Sequence, residues 1–377
     1  MTAKHALIAV VSLLLIATTA IADDKPKGPS YSLPEKATFT ARDVKVTRKG
    51  DGSQTALKEG ETDADRAKAE SDFEIAATLN VPKEDAHGKG PYPAVFFVSG
   101  SGMQDRNGFA AGMDLGTWEL LDAIANAGFV VLRADDRTTG GTPLGFKGID
   151  PLQLGYKALV GDARSCVNFL RTQPEVDAKR IFLIGHSEGG LTAPLLAAEK
   201  DLAIAGVICL AGPGRNMRNV IRDQVEAECA KMDELTRGMT LAMQDELTEA
   251  IKANRDPDFN KVPKSVWNRA DVVAGRKWMR EHFNIDVEAC HKSLTCPVLV
   301  ANGAADCQVN PEKDARKLAA NLVAGKCGDV TLRIYDDLDH LFKPCGGRPS
   351  NIKMYYEKRS VNAGFLQDVV RWLEQHA

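Results

Sequence analysis

Six residues in mid-chain have the types and spacing for nucleophilic chemistry: Gly185, His186, Ser187, Glu188, Gly189 and Gly190. They follow the apolar run "IFLI" and open onto a helical pattern, "LTAPLLAAEK". Gly-x-Ser-x-Gly alone is weak, because it arises by chance in roughly one chain in eight of this length. Its context adds the weight. A serine directly after a buried strand and directly before a helix sits on a sharp turn that lifts its hydroxyl above a sheet. Glycines two residues either side keep strand and helix from colliding there. The helix start adds a free backbone N–H and a positive dipole end where an oxyanion would form. The chemistry this permits is attack by Ser187 on an acyl carbonyl.

An alcohol needs a base to act at neutral pH. In a strand–helix fold with such a serine the order along the chain is nucleophile, acid, histidine. Of the seven histidines, that order leaves His340 and His376. His376 ends the closing helix, where a solvated side chain is expected. His340 lies in "IYDDLDHLF", just after the last apolar run, and is the predicted base. The acid should leave the end of an earlier strand, and "CPVLVANGAADCQVNP" supplies Asp306. Asp336, Asp337 and Asp339 are too near His340 in sequence to reach its ring, and are expected to shape its loop. Asp306 would hold the imidazole tautomer and stabilise the imidazolium. For the oxyanion, "FFVSGSGMQDRNG" offers the N–H of Ser101, with Gly102 as the second choice, beside the N–H of Glu188. The Glu188 carboxylate suits the cleft and a loop-bonding role equally.

The surrounding elements must place these residues at one edge. "ATFTARDVKV" and "FEIAATLNVP" alternate with period two and predict half-buried strands. "YPAVFFVSG", "FVVLRAD", "RIFLIG", "AGVICLAG", "CPVLVANG" and "VTLRIYDD" are short apolar runs of the kind buried on both faces of a parallel sheet. Helical patterns separate them, which predicts a doubly wound α/β domain. From about 213 to 295 the chain is charged and helical with no strand, and is read as a lid-like insertion between the sixth and seventh strands. Its apolar residues recur at steps of three and four, and its methionines, Met239 and Met243 among them, would give the cleft an adaptable apolar wall.

Composition narrows the classes. A net charge of -3 without a basic cluster argues against nucleic-acid binding. No metal-ligand spacing and no dinucleotide fingerprint occur, so no cofactor is expected. Residues 1–22 have the three-part layout of a signal peptide, with cleavage expected after Ala22 and a linker over 23–37. The apolar run is too short for a span, so export without stable membrane insertion is expected. All eight cysteines lie beyond residue 22; any pairing is expected among Cys290, Cys296, Cys327 and Cys345.

Together, "GHSEGG", "SGSGMQDRNG", "LRADDRTTGGT", "GAADCQVNP" and "DLDHLF" resemble the α/β-hydrolase superfamily, most of all its secreted esterase-type members. The resemblance covers about residues 38–377, with 213–295 the least typical part. It implies a small-molecule ester substrate and an acyl-enzyme, with Ser187 as nucleophile, Asp306 as acid, His340 as base and the loop at Ser101 as oxyanion donor. A peptidase or acyltransferase on the same fold, and a binding protein on an inactive one, are the alternatives. Two departures stand out: Ser99-Gly100 where His-Gly often opens the oxyanion loop, and "DDRTTGG" in place of Arg-Gly-x-Gly.

Overall fold

Residues 181–184 show how the central sheet is held. Ile181 and Leu183 point into one apolar cluster and Phe182 and Ile184 into another, so the strand is buried on both faces. The computed structural model describes residues 30–52, 62, 71–145, 152, 154–230, 232–325 and 327–377. The expected signal peptide and most of the charged segment after residue 48 lie outside them. Eight strands form one sheet: β1 (Phe39–Arg48), β2 (Phe73–Pro82), β3 (Tyr92–Val98), β4 (Val130–Ala134), β5 (Val176–His186), β6 (Gly206–Leu210), β7 (Val298–Gly303) and β8 (Val330–Tyr335). Their spatial order is β1-β2-β4-β3-β5-β6-β7-β8. β1 and β2 pair antiparallel, β2 runs antiparallel to β4, and from β4 to β8 every pair is parallel. The mostly parallel sheet expected from the apolar runs is present.

The helices are α1 (Glu84–His87), α2 (Thr117–Asn126), α3 (Tyr156–Arg171), α4 (Gly189–Ala197), α5 (Met217–Cys229), α6 (Glu234–Ala253), α7 (Lys264–Trp267), α8 (Ala270–Phe283), α9 (Val287–Ser293), α10 (Arg316–Ala324) and α11 (Ala363–His376). α3, α4 and α10 cover one face of the sheet, through Val167, Leu196 and Leu318. α2 and α11 cover the other, through Leu121, Ile124, Phe365 and Trp372. Parallel strands put their C-terminal ends on one edge, and α/β sheets build their sites there. The chain leaves β3, β5, β7 and β8 at that edge towards Ser101, Ser187, Asp306 and His340 in turn.

α5 to α9 all fall between β6 and β7. They enclose an apolar core of their own, in which Val220, Leu247, Trp267 and Phe283 meet Val309 of the loop after Asp306. Met243 belongs to that core, whereas Met239 is exposed. Periodicity marks which face of a helix is buried but not what it is buried against. Of the expected linker, residues 30–37 are described. Tyr31 there donates to Asp122 (3.0 Å) and lies under the Arg133 guanidinium, 4.7 Å from its ring centre. All eight thiols are free. Cys327 donates to the carbonyl of Cys296 (3.1 Å) rather than joining its sulfur. Among the described residues, no helix is long and apolar enough to cross a membrane.

Candidate active site

Ser187 has φ +54, a left-handed conformation that costs a side-chain-bearing residue strain. Its N–H donates to the Leu210 carbonyl of the neighbouring strand (2.8 Å), and α4 starts two residues on. The turn is tight enough that its glycines are obligatory. A methyl group on Gly185 would stand 1.9 Å from the Gly189 carbonyl oxygen, and one on Gly189 would stand 2.2 Å from that of Val98. Neither neighbour is a movable side chain. Gly185→Ala is therefore expected to lower stability by about 3 kcal/mol or more, read as a shift of the urea unfolding midpoint.

Asp306 and His340, 34 residues apart, meet through a 2.8 Å bond between Oδ2 and Nδ1. The acid is held on all sides. Its Oδ1 accepts the N–H groups of Gln308 (2.7 Å) and Val309 (2.9 Å), and its Oδ2 accepts from the buried Asn302 amide (3.1 Å). Both Asp306 and His340 are buried. With Nδ1 engaged by the carboxylate, Nε2 is the basic nitrogen left to the imidazole. His186 steadies the same loop, its Nε2 lying 2.9 Å from the His340 carbonyl. The nearby aspartates shape the loop. Asp339 accepts from Leu341, Lys343 and Arg359, and Asp337 from Gly346 and Gly347. His376 sits elsewhere, bonded to Asp329 at the end of α11.

The loop that carries Ser101 and Gly102 runs beside Ser187. A methyl group on Gly100 would lie 3.0 Å from the Ser187 Cβ, and Gly102 has φ +100. The Ser101 hydroxyl donates to Glu188 Oε2 (2.5 Å). The Glu188 carboxylate is thus a buried loop-bonding group, and Trp278 of α8 donates to its other oxygen (2.9 Å). Burial pushes Glu188 up to about 7.

The two unusual stretches lock together. Asp136 accepts from the Ser99 hydroxyl (2.7 Å) and from the Gln104 N–H (2.9 Å), closing both ends of the Ser99–Gln104 loop. Asp135 takes Arg106 in a two-pronged pair at 3.0 and 2.7 Å. "DDRTTGG" therefore makes a compact turn, with the Thr139 N–H bonded to the Asp136 carbonyl and Gly140 packed on the Asp135 carboxylate. Asp136 is half-buried, and the desolvation of its carboxylate pushes it up to about 7. Asn302, Asp136 and Trp278 are the supporting residues that sequence reasoning missed. Asn302 and Asp136 lie within stretches already singled out, whereas Trp278 has no local signal.

The chain resembles known proteins. The family profile of serine aminopeptidase, S33 (Hydrolase_4), matches residues 116–342, more than half of the chain, a stretch that contains Ser187, Asp306 and His340. Esterase EstD of Thermotoga maritima is 27% identical over 300 residues, which is 79% of this chain and 65% of EstD. A non-heme chloroperoxidase of Streptomyces lividans is 28% identical over 187 residues, 44% of this chain and 62% of that protein. The chain thus spans just under two thirds of the length of the curated relatives it matches. Among solved structures, the esterase Pf2001 of Pyrococcus furiosus superposes with a TM-score of 0.54 at 15% identity, over 95% of this chain and 99% of that one, which bears on the fold. The chain belongs to the serine aminopeptidase S33 family, within the α/β-hydrolase superfamily.

Proposed function

We propose that this protein is a serine-dependent carboxylic ester hydrolase that works through an acyl-enzyme. The observation that supports it most is the Asp306–His340 bond, made at the sheet edge where the Ser187 turn rises. Ser187 attacks the acyl carbonyl while His340 takes its proton. The N–H groups of Ser101 and Glu188 receive the oxyanion, and His340 returns the proton to the leaving alcohol. Water, deprotonated by His340, then attacks the acyl-enzyme, and as the acyl–oxygen bond breaks His340 returns that proton to Ser187 and the carboxylic acid leaves. Asp306 holds the imidazole in the tautomer this needs. In the same proposal the N-terminal leader exports the enzyme. The relatives described as esterases support the ester substrate.

The family's description favours a second activity, removal of an N-terminal amino acid. An aminopeptidase needs a free carboxylate to receive the substrate's ammonium group. Glu188, next to the nucleophile, already accepts on both oxygens. The test is hydrolysis of nitrophenyl esters of increasing acyl length beside aminoacyl nitroanilides. Turnover of the esters, and little of the anilides, is expected. Anilide turnover without ester turnover would replace the esterase assignment with the aminopeptidase one.

A further inference from the structure

Behind the nucleophile lies a side-chain cluster that acyl transfer itself does not use. Glu188 is 6% exposed, and each carboxylate oxygen has a different owner. Oε2 accepts from Ser101 of the oxyanion loop and Oε1 from Trp278 of the helical insertion. His282, one turn beyond Trp278, is wholly buried, and neither of its ring nitrogens has a hydrogen-bond partner among the described residues. Its Nε2 points at Glu188 Oε1 from 3.7 Å, and its ring packs on Tyr156 of α3 (4.2 Å) and on Trp278 (5.0 Å). A carboxylate is costly to bury and stays only where donors hold it. The converse also applies: donors aimed at a fixed carboxylate are themselves fixed.

We propose that the Glu188 carboxylate is a positioning residue, which orients the Ser101 N–H for the oxyanion and makes that orientation depend on the insertion being seated through Trp278. This rests on the ester-hydrolase reading above. Trp278 holds Glu188, Glu188 holds the Ser101 hydroxyl, and the Ser101 backbone follows its side chain. An insertion that shifts on its own core would therefore disturb the donors.

Among the described residues, the groups facing Glu188 are few. His282 comes from α8, Tyr156 from α3 with its hydroxyl taken by Thr192 (2.7 Å), and Asp136 from the loop after β4. Burial pushes His282 down to about 3, so at neutral pH it has no charge to offer. Glu188 and Asp136, both raised by burial to about 7, are the groups that change charge there. When Glu188 is protonated, one of its oxygens becomes a donor and the bonds to Ser101 and Trp278 must rearrange.

The experiment is a double-mutant cycle joined to an optical titration. Ser101→Ala and Trp278→Phe should each lower kcat for a short ester by roughly tenfold to a hundredfold, the scale of disturbing rather than deleting an oxyanion donor, with KM less affected. The double variant should be no worse than the poorer single one, because both cut the same link. The Trp278 emission, taken as the difference from Trp278→Phe in Ser187→Ala protein, should titrate near pH 7 and lose that titration in Glu188→Gln. Losses that multiply in the double variant would overturn the proposal. So would an emission that responds neither to pH nor to Glu188→Gln. The emission needs no turnover, so its result stands even if esters prove not to be substrates, an outcome that would remove the ester-hydrolase reading by itself.

Discussion

Ser187→Ala is expected to lower kcat for ester hydrolysis by about a millionfold, the scale on which removal of a triad serine acts. The fold should survive, because what holds the turn is not the hydroxyl. The Ser187 N–H keeps its bond to Leu210, the flanking glycines keep their close approaches, and alanine tolerates a φ of +54 no worse than serine. The measurements are single-turnover kinetics beside a thermal melt. A large loss of rate with an unchanged melting temperature is the expected pair. Residual turnover should not respond to organophosphonates, since the atom they modify is gone.

Asp306→Asn should cost about 10,000-fold in kcat, because an amide in that place can present an N–H to Nδ1 and favour the wrong imidazole tautomer. The fold again has reason to persist. The asparagine carbonyl can still accept from Gln308 and Val309, as Oδ1 does now. The loss should be largest for kcat and small for KM, since Asp306 touches the histidine rather than the substrate. Combined with Ser187→Ala it should add little, because the acid and base have no nucleophile left to serve. Steady-state kinetics on the two single variants and the double one check this. A tenfold or smaller loss in Asp306→Asn would mean that another acid orients His340.

Legibility in the sequence followed the reach of each interaction. The strands could be read because burial on both faces leaves uninterrupted apolar runs, as in "RIFLIG" and "CPVLVANG". Ser187 stood out because strand, glycine, serine, glycine and helix adjoin one another. His340 and Asp306 followed from the order of strands, and the structure joins them across 34 residues. What escaped depends on tertiary distance. Trp278 meets Glu188 across 90 residues, and nothing in the periodicity of α8 marks an indole that reaches the residue after Ser187. Ser101 was chosen for its N–H, yet its hydroxyl, bonded across 87 residues, ties the loop down. Asp136 sat in a stretch noted as a departure, but its task shows only once Ser99 and Gln104 close on it. Met243 shows the same limit: amphipathic spacing announces a buried face, and the partners it meets there belong to the insertion's own core.

The central claim, that Ser187 is the nucleophile of an acyl-enzyme, is tested most directly by covalent labelling. The protein would be treated with a fluorophosphonate, the loss of ester hydrolysis followed, and the modified peptide sequenced by mass spectrometry. The account predicts one phosphonyl group per chain, on Ser187, appearing in step with inactivation and absent from Ser187→Ala. Inactivation with the label on any other residue, or full ester hydrolysis by protein labelled at Ser187, would contradict it.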